Sequence, residues 1–210
     1  MSRYPIIPAK TGMVFFDALN AYLRPDDPQA RAAIDKLGVM ARLVRINQAC
    51  RKAGIAVFYP QADHRPDLRD FTSRVVDLDH AGMPGEPRPR MSKPPEVSAA
   101  GAAREVVAEL APQPADYVIK KHRWSSFFQT HLELSLRTAG IDTLMLAGGA
   151  VEVGIASTAY SARDLDFNLV ILRDACLSPR PDVEEIYMER VFPIFARVLT
   201  VDEAIALIAG

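Results

Sequence analysis

Short apolar runs alternate along the chain with longer stretches whose apolar positions follow helical spacing. The short runs predict buried strands at residues 13–16, 55–59, 117–121, 143–147, 168–172 and 197–200. The helical spacing predicts helices at residues 29–53, 103–110, 132–138, 153–165, 183–195 and 203–208. Gly54 and Gly140 stand where helix C-caps belong, Pro193 should bend or end its helix, and Asp202 should cap the last one.

This regular alternation of strand and helix predicts a single-domain α/β protein. The simplest architecture is a three-layer α/β/α sandwich around a mainly parallel six-stranded sheet of the Rossmann type. A chain of 210 residues is long enough to form one such domain, over residues 1–210. Residues 61–98 are rich in proline and charge and lack regular periodicity. We expect a long loop there, with short helical turns, that walls one side of a pocket.

Composition excludes several classes of function. The net charge is −1, and the densest basic stretch lies along a predicted helix, where it indicates a solvated face rather than a nucleic-acid site. No apolar run reaches the roughly 18 residues needed to span a membrane, and the N-terminus does not resemble a signal peptide. Cys50 and Cys176 form no metal-binding or disulfide pattern, so we expect buried thiols in a cytoplasmic protein.

Chemically useful residues stand where three predicted strands end. Asp17 follows the first strand, Lys121 ends the third, and a glycine-rich turn at residues 148–154 leads from the fourth into a helix. Ligands of parallel α/β sheets bind at the carboxyl ends of the strands, so these groups should meet. A carboxylate beside an ammonium forms a coupled acid–base pair, and the free N–H groups of a helix start suit a developing negative charge. The pattern therefore predicts a site for a small-molecule substrate.

Three ordered motifs resemble those of isochorismatase-like hydrolases, the cysteine hydrolase superfamily. They are FFDALN at residues 15–20, KHRWSSFF at 121–128 and LAGGAVEVGI at 146–155. The segments STAYSARD at 157–164 and LRDA at 172–175 are also similar. The resemblance extends over nearly the whole chain and is weakest in residues 61–98. It implies the isochorismatase-like fold and a homo-oligomer, a dimer or tetramer, for which the segment 124–128 is a plausible contact.

The resemblance also implies the working residues. The family's catalytic Asp and Lys correspond to Asp17 and Lys121, whereas its nucleophilic Cys corresponds to Gly154. Without a thiolate, no acyl-enzyme can form through that position. Isochorismatases resemble this chain in having Gly there, and they hydrolyse a vinyl ether with the Asp as proton donor and water as nucleophile. We therefore favour vinyl-ether hydrolysis, which requires a carboxyl group with a raised pKa.

Two alternatives remain open. One is an amide or ureide hydrolase in which water attacks directly, assisted by Glu152, although a carboxylate at a helix start commonly only caps N–H groups. The other is a degenerate member that binds a ligand or a partner protein, because a fold does not fix a function. Ala150 and Glu152 stand where isochorismatases have an aromatic residue and a His, which puts isochorismate itself in doubt.

The remaining candidates concern the pocket wall. Ala150, Glu152, Trp124 and His64 are our predicted substrate-binding residues. Nicotinamidases of this family have an Asp-x-His metal motif after the second strand, but the Asp position is Ala62 here. A single His64 is a weak ligand set, so we expect no metal and no cofactor. The resemblance also suggests a cis peptide between Gly149 and Ala150, a point that the sequence does not decide.

Overall fold

The computed structural model describes residues 4–65, 67, 69–70 and 101–209, so most of the predicted 61–98 loop lies outside the described residues. The strands are β1 (Thr11–Phe16), β2 (Ala56–Ala62), β3 (Tyr117–Lys121), β4 (Thr143–Gly149), β5 (Asn168–Leu177) and β6 (Arg197–Leu199). The α-helices are α1 (Asn20–Leu23), α2 (Pro28–Leu37), α3 (Val39–Ala53), α4 (Leu132–Thr138), α5 (Ala156–Asp164), α6 (Pro181–Ile186) and α7 (Val201–Ala209). Two π-helical turns, Val151–Ile155 and Tyr187–Val191, precede α5 and follow α6.

The six strands form one parallel sheet in the order β3-β2-β1-β4-β5-β6. This arrangement confirms the predicted fold class. Since β1 and β4 occupy the centre, the chain reverses its direction of winding between them, and a crevice opens at the carboxyl ends of these strands. Asp17 and Gly148–Gly149 of the described chain stand at that edge.

Two hydrophobic layers cover the sheet. On one face, Met13 and Phe15 of β1 pack with residues of α3 and α7. On the other face, Val14 and Phe16 pack with residues of α4 and α5. Every residue of β1 is buried, as expected for a central parallel strand covered on both sides. The alternation of side chains along β1 therefore assigns Phe16, next to Asp17, to the layer beneath α5.

Three helical predictions were wrong in detail. The helix expected at residues 29–53 is two helices, because Gly38 adopts a left-handed backbone with φ of 66° and ends α2. Residues 103–110 contain only the 3-10 turns Ala102–Arg104 and Ala108–Leu110. There the carbonyl of Glu105 accepts a hydrogen bond from the N–H of Asn20 instead of from an N–H within a helix.

The third difference concerns the start of α7. Thr200, not Asp202, caps this helix: its hydroxyl accepts from the N–H of Glu203, whose carboxylate accepts from the N–H of Thr200. Asp202 instead pairs with Arg45 of α3. A reciprocal pair of this kind satisfies two N–H groups at once, so it displaces a single cap. None of the described helices is both long and apolar enough to cross a membrane.

Candidate active site

Asp17 lies at the carboxyl end of β1 with its carboxylate almost fully buried. Its backbone adopts an uncommon positive φ of 46°. Three contacts hold it there: the Asp17 N–H donates to Pro60 O at 3.0 Å, Oδ1 accepts from the Ala62 N–H at 2.9 Å, and Oδ2 accepts from Lys121 at 2.8 Å. The carboxylate thus reaches across β2 to a residue of β3, and its orientation is fixed by both neighbouring strands.

Lys121 completes the pair and is also nearly fully buried. It stands opposite Ala62 in the β2–β3 register, which explains how its ammonium and the Ala62 N–H contact the same carboxylate. The Nζ atom lies 4.3 Å from the centre of the Phe16 ring, a cation–π distance. Its neighbour Lys120 points to the other face of the sheet and donates to Gln61 Oε1 at 2.8 Å.

Burial dominates the electrostatics of this pair. Desolvation raises the pKa of Asp17 above its ordinary value, although the charge and hydrogen bond of Lys121 and the N–H of Ala62 act in the opposite direction. The charge on Asp17 adds to burial in raising the pKa of Tyr22, which lines the same cavity. A carboxyl group with a raised pKa can hold a proton until it donates it. The neighbouring cation then stabilises the carboxylate that remains.

Gly154 occupies the third predicted position, at the helix start beside the pair. A Cβ atom built on Gly154 would lie 2.1 Å from Cε1 and 2.3 Å from Cζ of Phe16. These distances are far inside van der Waals contact. The Phe16 ring therefore fills the space that any side chain at position 154 would need. Phe16 belongs to the first predicted strand and to the FFDALN motif, but nothing in the sequence pattern shows which remote residue its ring contacts.

A cavity of about 980 Å³ opens above these residues. Asp17 and Lys121 lie on its wall together with Gly154, Ala150, Trp124 and His64. The apolar part of the wall was not foreseen and comes from α1, α2 and the end of β5: Tyr22, Ala30, Ala33, Ile34, Leu37 and Leu177. A few polar groups at the base of a mainly apolar hollow are typical of sites for small molecules.

Glu152 does not line this cavity, although we expected it to bind substrate. Its charge raises the pKa values of Glu184 and Tyr187, although burial is the larger cause for each, so it faces the α6 side. Glu152 Oε2 is buried and accepts no hydrogen bond from the described residues. The reason is the π-helical turn Val151–Ile155, which directs Ala150, Val153 and Gly154 toward the cavity and position 152 away from it. The peptide bond between Gly149 and Ala150 is cis.

The segment after Lys121 contributes to both cavity and framework. Trp124 lines the cavity with about half of its surface exposed. Arg123 also lines it, and its guanidinium donates to the carbonyls of Asp70 and His122. Ser126 is fully buried, and its N–H donates to Thr158 of α5. Cys50 and Cys176 are buried free thiols away from the cavity wall, as expected.

His64 has neighbours that the sequence did not identify. Its Nδ1 lies 3.5 Å from Asp70 Oδ2, and Nδ1 of His122 lies 3.4 Å from the same oxygen. Within the described part of the chain, these three residues form a group whose ligand atoms are close enough to hold a metal ion. Desolvation is the main cause that lowers the pKa of His64, which favours the neutral imidazole.

Comparisons with known proteins agree with the fold and identify the family. Residues 11–203 match the model of the isochorismatase domain. The chain is 30% identical over 218 aligned residues to ureidoacrylate amidohydrolase RutB of Agrobacterium fabrum (strain C58), covering 96% of this chain and 91% of that one. It is 27% identical to phenazine biosynthesis protein PhzD1 of Pseudomonas aeruginosa (strain PAO1), covering 98% and 89%.

Among solved structures, a cysteine hydrolase from Pseudomonas syringae pv. phaseolicola superposes with a TM-score of 0.78 at 24% identity. That alignment covers 99% of this chain and 96% of the other, so the two share a fold over their whole length. Since the family model spans nearly the entire sheet and the Asp17–Lys121 pair lies at its carboxyl edge, this chain belongs to the isochorismatase family of hydrolases.

Proposed function

We propose that this hydrolase acts on a small planar or carboxylated metabolite through Asp17 and Lys121, with water as the nucleophile and vinyl-ether hydrolysis as the favoured reaction. The observation that supports this most directly is the Phe16 ring in the space beside Gly154, next to an intact buried acid–lysine pair. The site retains the proton-transfer groups and leaves no room for a thiol.

The steps follow from the chemistry of a vinyl ether. Protonated Asp17 donates its proton to the terminal carbon of the C=C bond, and the ether oxygen stabilises the resulting cation. Water then adds to the cationic carbon and loses a proton, and the hemiketal collapses to a ketone and an alcohol. Burial favours the protonated form of Asp17 before the first step, and Lys121 stabilises the carboxylate after it.

The cavity agrees with a substrate of this class. Trp124 and the apolar side chains of α2 can pack against a planar ring, and Arg123 offers a cation at the rim. Asp17 and Lys121 would contact the reacting end of the molecule at the base. Since the apolar wall is broad, substrate selection would depend on shape as much as on charge.

Asp17→Asn tests the mechanism. The variant should lower kcat for a vinyl-ether substrate such as isochorismate by about 10²-fold or more, because an amide cannot donate the proton. Lys120→Met is the matched control, since Lys120 neighbours Lys121 but points to the opposite face. Turnover that survives Asp17→Asn on an identified substrate would refute the role of Asp17.

Amide or ureide hydrolysis is the second candidate, supported by 30% identity to a ureidoacrylate amidohydrolase over nearly the whole chain. Water would attack the carbonyl directly, because position 154 offers no thiol. Glu152 has little support as the assisting base, since it lies off the cavity wall. A panel of amides and ureides assayed for released ammonia distinguishes this reaction from vinyl-ether cleavage, and Glu152→Gln should leave either activity intact.

A third outcome is a ligand-binding protein without turnover. The buried contact between Asp17 and Lys121 on the wall of a mainly apolar cavity argues for retained chemistry. Tight binding of a screened compound with no product formed under any condition would favour the binding role.

A further inference from the structure

Helix α2 turns an apolar stripe toward the active-site cavity. The stripe consists of four residues spaced as on one helix face: Ala30, Ala33, Ile34 and Leu37. All four line the cavity, and α2 contains no buried residue, although Ile34 also packs partly against the core. The apolar face of a surface helix normally packs on the protein interior. An apolar face on a cavity wall therefore indicates that the molecule bound in the cavity has an apolar part.

Polar contacts on the other sides of α2 hold the helix in place. The Arg31 guanidinium donates to the Arg24 carbonyl at 3.0 Å, and Arg24 in turn pairs with Asp35 at 3.0 Å. At the last turn, the Arg42 guanidinium donates to the Leu37 carbonyl at 2.7 Å. Because these contacts do not use the stripe, the helix is held while its apolar face stays available to a bound molecule.

The cavity wall thus has a polar part and an apolar part. Asp17, Lys121 and Arg123 stand at or just after the carboxyl ends of β1 and β3, whereas the stripe contributes only apolar side chains. The volume of about 980 Å³ is near the upper end of the roughly 300–1,000 Å³ range of small-molecule sites. A single small ring at the Asp17–Lys121 pair would leave much of this space unfilled.

The length of the stripe sets the size of the apolar group that it can cover. From Ala30 to Leu37 the helix rises about 10 Å, at about 1.5 Å per residue. An extended hydrocarbon chain of about eight carbon atoms has this length, because each C–C bond of about 1.5 Å adds about 1.3 Å along the chain.

We propose that the substrate carries an apolar group of up to about eight carbon atoms, joined to the polar part on which Asp17 and Lys121 act, and that this group lies along the α2 stripe. The inference rests on the proposed function, because it names the substrate class of that same site. Each methylene group removed from water strengthens binding about fourfold at most. A carboxylated ring without the apolar group would therefore be a poor substrate.

Binding of straight-chain carboxylates tests this inference without any turnover. In calorimetry with butanoate, hexanoate and octanoate, the Kd should fall about two- to fourfold for each added methylene group. Ala33→Gln places a neutral amide in the stripe and should weaken octanoate binding at least about fivefold, because the amide loses water when the chain covers it. Butanoate is too short to extend far along the stripe, so its Kd should change less.

Ala32→Gln is the matched control. Ala32 is the neighbour of Ala33, but it points away from the stripe and does not line the cavity. Both alanines are exposed, so both variants should fold, which melting curves verify. Ala32→Gln should bind octanoate like the parent chain. A Kd that does not depend on chain length, or equal octanoate affinity in the two variants, would overturn the proposal. So would a changed oligomeric state in Ala33→Gln with unchanged octanoate binding, which would assign the stripe to a second copy of the chain.

Failure of the proposed reaction has a different signature. If no vinyl ether is cleaved, but octanoate binding keeps its chain-length dependence and loses it in Ala33→Gln, the apolar subsite stands and only the reaction is wrong. If vinyl ethers are cleaved, kcat/KM in the parent chain should be at least about tenfold higher with an octyl than with a butyl group on the ether oxygen. Equal kcat/KM for the two ethers would remove the apolar group from the substrate.

Discussion

The contact between Phe16 and Gly154 makes a quantitative prediction about restoring a thiol. In Gly154→Cys, the new Cβ would overlap the Phe16 ring at 2.1 Å, and the sulfur would extend further into the same space. Phe16 is only 2% exposed and lies between Lys121 and the helix start, so the ring has little room to move. Overpacking of this kind costs about 1–3 kcal/mol, and we expect about 3 kcal/mol here because two atoms overlap.

The paired change should relieve this cost. Phe16→Val alone opens a void and should destabilise the chain by about 2–3 kcal/mol, less than the 3–5 kcal/mol typical of Phe→Ala. In Phe16→Val/Gly154→Cys, the cysteine side chain partly fills that void, so the two effects should not add. We expect a coupling free energy of about 1–3 kcal/mol in favour of the double variant. Gly154→Cys alone should lower Tm by roughly 6–12 °C.

Urea denaturation of the four proteins measures the coupling, and iodoacetamide labelling reports whether the new thiol is accessible. The native thiols give little background, because burial raises the pKa of Cys50 to about 12 and also raises the pKa of Cys176. Ser157→Cys is the control, because it places a thiol in the first turn of α5, three residues after position 154, and replaces an existing side chain of similar size. Additive free energies within about 0.5 kcal/mol, or Gly154→Cys as stable as the parent, would refute the steric argument.

Three further predictions concern charge, pH dependence and assembly. Lys121→Met should raise the pKa of Asp17 further, because the Lys121 ammonium lowers that pKa in the parent chain. A carbon-13 titration of the Asp17 carboxyl measures the shift, and Lys120→Met should cause none. A lower Asp17 pKa in Lys121→Met would contradict this account of the pair. As a proton donor, Asp17 should also make kcat/KM decrease as the pH rises through its raised pKa, and loss of activity on acidification instead would exclude that role. We expect a homo-oligomer, for which the half-exposed Trp124 and Phe128 offer a contact surface; light scattering that shows a strict monomer at micromolar concentration would contradict it.

Strand positions were predictable because a central parallel strand must be apolar on both faces. The run at residues 13–16 and its carboxylate at 17 were identified on that basis, and β1 is buried throughout. The rule that ligands bind at the carboxyl ends of parallel strands then brought Asp17 and Lys121 together, and the hydrogen bond between them is 2.8 Å long. The length of β5 was underestimated, since a bulge between Leu146 and Gly148 lets the pairing continue to Leu177.

The incorrect predictions share one physical cause. The features that they concern depend on contacts between residues that are far apart in the sequence. Residues 103–110 have helical periodicity, yet their backbone forms hydrogen bonds with the segment that begins α1. The carbonyl of Glu105 accepts from Asn20, and Val106 forms an isolated β-bridge with Leu19. The direction of Glu152 depends on a π-helical turn that periodicity does not reveal.

The sequence by itself determined the layer architecture, the buried strands and the acid–lysine pair at their ends, because burial on both faces and the geometry of parallel sheets constrain these directly. Only the tertiary structure decided that Phe16 fills the space beside Gly154, that Glu152 turns away from the cavity, and that Asp70 and His122 join His64. Those features depend on which side chains from distant segments meet, and periodicity along the chain carries no information about that.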